Sequence, residues 1–522
     1  MVAHQYRPSN LDQGFLIPPD IRDWLDNDHV AWLVIDAVAI MDTTAFHRRR
    51  RTNIKNSAAG RAGYDPDRLL ALLIYAYATG QRSSRRIEKL CWTDVAFRVL
   101  CGNDIPDHTV VARFRQEHDK AFEDLFTQVL MLCKANGMGR FGELALDGTK
   151  VAANASKSAT HSEATVRKIA RDSIDDAYRT DKAETDQIRA GKDDSLPPNL
   201  RSRKAREKTL AAAVAKLDAD KQADIDAQKA ADPGGRDRAR KADDRVAQAT
   251  GKHAKALAEH AQRAARRQAK IDAGDVRPGP APKPAEETTR VKDAAGRLER
   301  AKNTAIAVRT PKSEGGRGKD YRVNLTDPDS ALMKTTDGFI QGFNGQLVVT
   351  TDYLIICAEA SANPTDMHSY EPMVAAAQDM IAAVWGAEAK ESIGVVLADA
   401  GYCSVANLTA EGPKRAIATD SRRSRARREP ENANTDLSEH ASPEVAAMRE
   451  YLATDEGAAQ YSRRGALVEP VNGHIKDRRG LRQFSRRGLA AINAELKLSA
   501  ATTNLLRLLT TMNITRGALI AY

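Results

Sequence analysis

Apolar residues recur at helical spacing through much of the first 140 positions. From Tyr64 to Thr79 they follow Asp65-Pro66, an N-cap with proline at the first helical position, and Gly80 closes the segment. The pattern predicts a second helix over 83–101, stopped by Gly102-Asn103. A longer one starts at Asp107 and carries Val111, Phe114, Phe122, Leu125, Phe126 and Val129 on one face, with Gly137 past its end. Gly142 to Asp147 then changes to a short apolar run, continued by Gly148-Thr149-Lys150-Val151, which predicts a strand.

Beyond a long charged stretch the strand signal returns. Gly342 to Ala358 reads as two strands joined by a turn at Thr351-Asp352, and Met373 to Trp385 has helical periodicity. Ser392 to Asp399 is an apolar run ending in an acid, as a buried strand with a functional carboxyl end would. Arg422 to Arg428 reads as a basic loop, and Glu469 to Ile475 as the start of a helix with proline at its second position. Together these predict an α/β core, an all-α N-terminal domain before it and a charged helical insertion within it. The expected bounds are 1–140 for the helical domain, 141–156 with 311–522 for the core, and 157–310 for the insertion.

Composition sharpens the picture of the insertion. Ala, Lys, Arg, Asp, Glu and Gln dominate 205–268, and Tyr178 is the sole aromatic residue of 157–310, so helices are favoured but have little to bury. Breaks at Pro197-Pro198, Pro233-Gly234-Gly235 and Arg277 to Pro284 predict a helical hairpin or antiparallel coiled coil ending in a stiff proline-rich linker. The net charge of the 522-residue chain is +10, and residues 157–310, with 35 Lys and Arg against 25 Asp and Glu, hold all of the excess. A solvated charged arm and a DNA-binding arm both fit that composition. The positive balance favours an anionic partner, nucleic acid ahead of a membrane surface.

Other classes are excluded. The longest apolar run, Leu69 to Ala78, is far short of the ~18 residues a membrane span needs. The first twenty residues lack the pattern of a secretion signal, so a cytoplasmic, nucleoid-associated protein is expected. Five cysteines without a C-x-x-C pair predict ordinary buried thiols rather than a disulfide framework or thiolate zinc site.

Three acids are placed for chemistry. Asp147 is expected to end the first strand, Asp399 ends the later one, and Glu469 is expected to open a helix; open α/β sheets put their sites at strand ends of this kind. Three such carboxylates can hold two magnesium ions for phosphoryl transfer. Asp327, Asp329, Asp352 and Asp366 read as turn or cap residues. Glu469 and Lys476 are seven apart, two helical turns, so Lys476 could meet a phosphate beside the metals.

Several blocks resemble a known family. Tyr64-Asp65-Pro66, Gly80 to Arg86 and Ile105 to Arg115 are similar to the helical domain that precedes the core of DDE transposases from bacterial insertion sequences, nearest the IS1182 branch of the IS4 and IS5 assemblage. Leu146 to Lys150, Asn324 to Asp329, Gly342 to Gln346 and Ala398 to Tyr402 resemble its core blocks. Tyr461, Arg464, Glu469 and Lys476 resemble its Y-R-E-K signature, although four residues rather than three separate Arg464 from Glu469. The resemblance implies an RNase H-like core in which Asp147, Asp399 and Glu469 bind two Mg2+ or Mn2+ ions. It implies strand cleavage at element ends and transfer into target DNA, by a homodimer on paired ends.

DNA contacts are expected from Tyr461, Arg464 and Lys476, and from Arg463, Arg478, Arg479, Arg482, Arg486 and Arg487 nearby. In the helical domain, Arg82, Arg85 and Arg86 are expected on phosphates, and His108, Thr109, Arg113 and Arg115, near the start of a recognition helix, on base edges. Packing or dimerisation is the rival role for this domain. Rival functions are an RNase H-like nuclease without strand transfer and a catalytically inactive DNA-binding relic.

Overall fold

The first helices begin where polar side chains take up free amides. His29 accepts the Ala31 amide at the head of α1 (Val30–Ile40), and Asp65 accepts the Asp67 amide beside Pro66 in α2 (Pro66–Ala78). The structure, a computed structural model, describes residues 20–47, 63–170, 203–231, 236–274, 281, 283–309, 321–419, 442–511, 519 and 521. The chain forms two compact units, residues 1–160 with 324–522 and residues 161–323.

Two helices expected to be continuous are each divided. Asp94 ends α3 (Ser84–Thr93), and its carboxylate accepts the Ala96 and Phe97 amides that open α4 (Val95–Leu100). His118 separates α5 (His108–Glu117) from α6 (Asp119–Ala135); its ring bonds the carbonyls of Phe114 at 2.7 Å and Phe46 at 3.2 Å. The Phe46 bond spans 72 residues, so apolar periodicity does not signal that break. Strand β1 (Glu143–Ala152) follows, then the short β2 (Thr160–Ser162).

The second unit is helical. It contains α7 (Arg203–Ala231), α8 (Arg236–Asp272) and α9 (Thr289–Arg309), with α8 packed on α9 through small residues such as Ala256 and Val291. The proline-rich segment does not end this arm as expected, because α9 follows it.

Strand β3 (Arg322–Asn324) spans the boundary between the units, and β4 (Ala331–Thr335), β5 (Gly338–Thr350) and β6 (Ile355–Ser361) follow in the first. Helix α10 (Tyr370–Trp385), β7 (Val395–Ala398) and β8 (Lys414–Ile417) complete the sheet. Strand β5 is antiparallel to β1 on one side and to β4 and β6 on the other, whereas β1, β7 and β8 run parallel. The sheet is therefore mixed, and the insertion departs after its first strand. The basic loop expected at 422–428 lies outside the described residues.

Helix α11 (Asp455–Gly473) and α12 (Leu489–Thr511) follow. α12 is buried along most of its length against α6, β6 and α2. Its polar residues find backbone partners: the Asn504 amide donates to the Ile355 carbonyl at 2.8 Å and accepts its N–H at 2.9 Å, and Asn493 accepts the Ala360 N–H. These bonds satisfy β6 on its free edge. The N-terminal helices and the sheet share one contiguous apolar core, so residue 140 marks a change of secondary structure rather than of core. Cys91, Cys101, Cys133 and Cys357 are buried free thiols and Cys403 is half-buried.

Candidate active site

The site begins with strand register. The last parallel pair between β1 and β7 is Ala145 with Leu397, so Asp147 and Asp399 stand at matching positions two residues further on. Asp399 directly follows β7 and also accepts the Gly401 N–H at 2.8 Å. Asp147 does not end its strand as expected. It lies at the middle of β1, because pairing with β5 carries the strand on to Ala152 after pairing with β7 stops.

Helix α11 meets Asp147 from the other side. Arg464 donates to Asp147 Oδ1 at 3.2 Å, and Asn472 donates to Oδ2 at 2.8 Å. Tyr461 hydrogen-bonds Arg464. Burial pushes the Asp147 carboxyl up to about 6; Arg464 counteracts this and Asp399 adds to it. Asp399 is also raised, chiefly by burial, while Lys150 and Arg464 oppose the rise. Two carboxylates thus share a site that penalises their negative charge.

Asp366 joins them; its sequence context reads as a helix cap, with a supporting role beside the site left open. Its Oδ1 accepts from Asn344 and Gln346, each at 2.7 Å, and Gln346 in turn accepts the buried Tyr402 hydroxyl. The Asp366 charge acts on both Asp147 and Asp399. Gly148 and Gly401 make room for it: a Cβ at Gly148 would lie 2.3 Å from Asp366 Oδ1, and one at Gly401 would lie 3.1 Å from Oδ2. The blocks containing Asn344, Gln346, Gly148 and Tyr402 were the available signal, since those residues needed a common partner.

Glu469 departs from expectation. It lies fourteen residues beyond Asp455, the first residue of α11, which is capped by Thr454, whose hydroxyl accepts the Gly457 amide, and Pro470 is therefore inside the helix. Burial of Leu467, Val468 and Val471 holds that turn helical despite the proline. The Glu469 side chain is exposed and lies over Gly465. Lys476 falls in a π-helical turn, His474–Arg478, so it does not continue the α-helical face that the spacing of seven assumed. It is half-buried and feels the charge of Asp147; burial and Arg482 lower its pKa.

Several expected DNA contacts are instead internal ties. Arg115 is buried and donates to the Arg82 carbonyl; Arg82 donates to Glu495 at 2.8 Å and to the Gly480 carbonyl at 2.7 Å. Arg486 pairs with Asp119, and Arg479 and Arg487 donate to the carbonyls of Ala78 and Asn154, whereas Arg463 and Arg482 stay exposed while pairing with Glu143 and Asp477. Arg85, Arg86, Thr109 and Arg113 are exposed, as is Arg478. His108 bonds Glu88 at 2.8 Å, within a cluster of Glu88, Asp107 and His108.

The donor set suits a hard divalent cation. Asp147, Asp399 and Asp366 offer only oxygens, and the buried Oδ1 atoms of Asn344 and Asn472 at its margin have no partner. Neither Asp147, Asp399 and Glu469 nor Asp147, Asp399 and Asp366 are gathered to within 4.8 Å of one another; among the described residues, His47/Asp65/Asp67 and Glu88/Asp107/His108 are. No helix among the described residues is long and apolar enough to cross a membrane.

No curated protein and no solved structure matches the chain. Residues 421–509 match a family model described as a transposase DDE domain, covering Tyr461, Arg464, Glu469 and Lys476, and residues 19–117 match one described as a transposase domain (DUF772). A helical N-terminal region and a mixed sheet with helices are compatible with a DDE transposase, a nucleic-acid-processing enzyme of a family that uses divalent metal. The two matched domains, one on each side of the insertion, indicate a transposase, in accord with the IS1182-type DDE resemblance.

Proposed function

We propose that the chain is an insertion-sequence transposase with an RNase H-like core, which cuts DNA at element ends and joins the freed 3′-hydroxyl to target DNA. The pairing of Asp147 and Asp399 at matching positions of adjacent parallel strands carries this reading. Asp147 and Asp399 would hold two Mg2+ or Mn2+ ions, with Glu469 as the third acid and Asp366 supporting the set. Bound there, the ions supply activation of the attacking oxygen and neutralisation of charge on the leaving one.

The protein groups position and balance charge. Arg464 and Asn472 orient Asp147 at 3.2 and 2.8 Å. Lys476 supplies a half-buried cation for a phosphate. In the first reaction water attacks the phosphodiester, the P–O3′ bond breaks, and the strand leaves with a 3′-hydroxyl. In the second that hydroxyl attacks a target phosphodiester and displaces a target 3′-hydroxyl. Both are in-line displacements and need no covalent protein intermediate.

The helical region 1–140 is assigned to DNA, with Arg85, Arg86, Thr109 and Arg113 as its exposed contacts and paired ends held by a homodimer. The insertion 157–310 is assigned no part in the chemistry. The test is Mg2+-dependent cleavage and joining of DNA carrying the sequences that flank this gene, with wild type and Glu469→Gln. Products from wild type that are lost in a variant still binding DNA support the reading. Cleavage without joining points to a nuclease, and binding without cleavage to an inactive relic.

A further inference from the structure

A second cavity lies behind the helix that holds Asp147. It has a volume of about 620 Å³ and is bounded by α1, α2, α11 and α12. Pro470 and Val471 form part of its wall, while their neighbour Asn472 bonds Asp147.

Among the described residues its lining carries Arg479, Arg507 and His474 and no Asp or Glu. Arg479 is only 8 % exposed; one of its terminal nitrogens donates to the Ala78 carbonyl, but its Nε is buried without a partner. The Nε of Arg507 is likewise buried and unpartnered, and its guanidinium lies 4.4 Å from the centre of the Tyr353 ring. Buried donors left unpaired are costly, more so when charged, so the arrangement calls for an acceptor. Mutual repulsion adds to this, because Arg479, Arg478 and Arg507 all lower the pKa of His474 after burial does.

The rest of the wall mixes aromatic and apolar residues, including Tyr75, Tyr353, Val471 and Leu506, with His29 and the hydroxyls of Thr79, Thr503 and Thr510. The volume greatly exceeds that of a lone phosphate and lies within the range of pockets for small organic ligands. We infer that this cavity binds a phosphate group carried on a planar organic body, as in a mononucleotide, with Arg479 and Arg507 as the anion contacts. This assignment goes beyond the proposed strand-transfer chemistry and does not depend on it. The ligand could be a free nucleotide or the terminal nucleotide of a DNA strand.

Binding to the full chain tests this, read by thermal shift and calorimetry at matched ionic strength. The probes are inorganic phosphate, dAMP, deoxyadenosine, and one duplex with either a 5′-phosphate or a 5′-hydroxyl. Expected is saturable stabilisation by dAMP, at least about tenfold tighter than phosphate, or tighter binding of the 5′-phosphorylated duplex than of its hydroxyl form. The first outcome identifies a free ligand and the second a DNA end. Either preference is expected to fall by about tenfold or more in Arg507→Gln and in the cavity-filling Leu506→Trp, and to persist in Lys120→Gln, at an exposed site outside the cavity. Retention of the wild-type preference in both cavity variants, provided they melt cooperatively, or absence of any preference in wild type, would overturn the assignment.

Discussion

The sheet half of the candidate site and its helical half are built differently. Asp147 and Asp399 are placed by backbone register and sit where burial raises their pKa values. On α11, Arg464 and Asn472 are fixed by bonds to Asp147, while Glu469 is exposed between them, next to a proline and just before a π-helical turn. The sheet supplies a rigid acidic pair; the helix supplies a clamp on that pair and a carboxylate with freedom to move.

The largest expected effect is on the rigid pair. Asp147→Asn or Asp399→Asn should lower strand cleavage by roughly 10³-fold or more, since several kcal/mol of charge stabilisation depends on these acids. Cleavage assays on variants with unchanged circular dichroism check this. Next, Glu469→Gln should cost about 10²-fold or more and Asp366→Asn only about 10- to 100-fold, as expected for a supporting group. If the order reverses, the third acid belongs to the sheet half and the contrast between the halves fails.

The cost of the buried pair should also appear in stability. The Asp147 carboxyl rises from 3.8 to about 6, so the folded chain holds this proton more tightly than the unfolded chain does. The resulting penalty is absent below the ordinary value, grows between it and about 6, and is complete above that, at about 3 kcal/mol. Metal-free protein should therefore gain about 1–2 kcal/mol from this group between pH 7.5 and 5. Denaturant titrations of wild type and Asp147→Asn should show a smaller gain in the variant.

The helical half makes a smaller prediction. Pro470 removes a helix hydrogen bond, so Pro470→Ala should stabilise the chain by about 1 kcal/mol or more, read as a higher Tm. If Glu469 must move, that variant should also lose activity. The smallest effect is expected from replacing 157–310 with a short linker: the first unit has its own core, so its Tm should shift little. Loss of soluble, folded protein would refute this.

Local chemistry made many elements legible. Asp65-Pro66 marked the start of α2, the apolar run before Asp399 marked β7, and the turn near Asp352 separated β5 from β6. The breaks at Asp94 and His118 were not legible, since one depends on a capping carboxylate within an apolar pattern and the other on a carbonyl 72 residues away. Glu469-Pro470 resembled a helix start because proline favours the first turn. The fourteen helical residues before Glu469 gave the helix an earlier cap at Thr454, and buried contacts overrode the proline.

What the sequence by itself determined was the alternation of helix and strand and the segment carrying the excess charge. These follow from periodicity, capping and composition, which act over a few residues. Only the tertiary structure decided that Asp366 joins Asp147 and Asp399, that Arg82 and Arg115 turn inward, and that Arg479 and Arg507 line a common cavity. Strand register and long-range packing choose those neighbours, and neither is encoded in the spacing around any one residue.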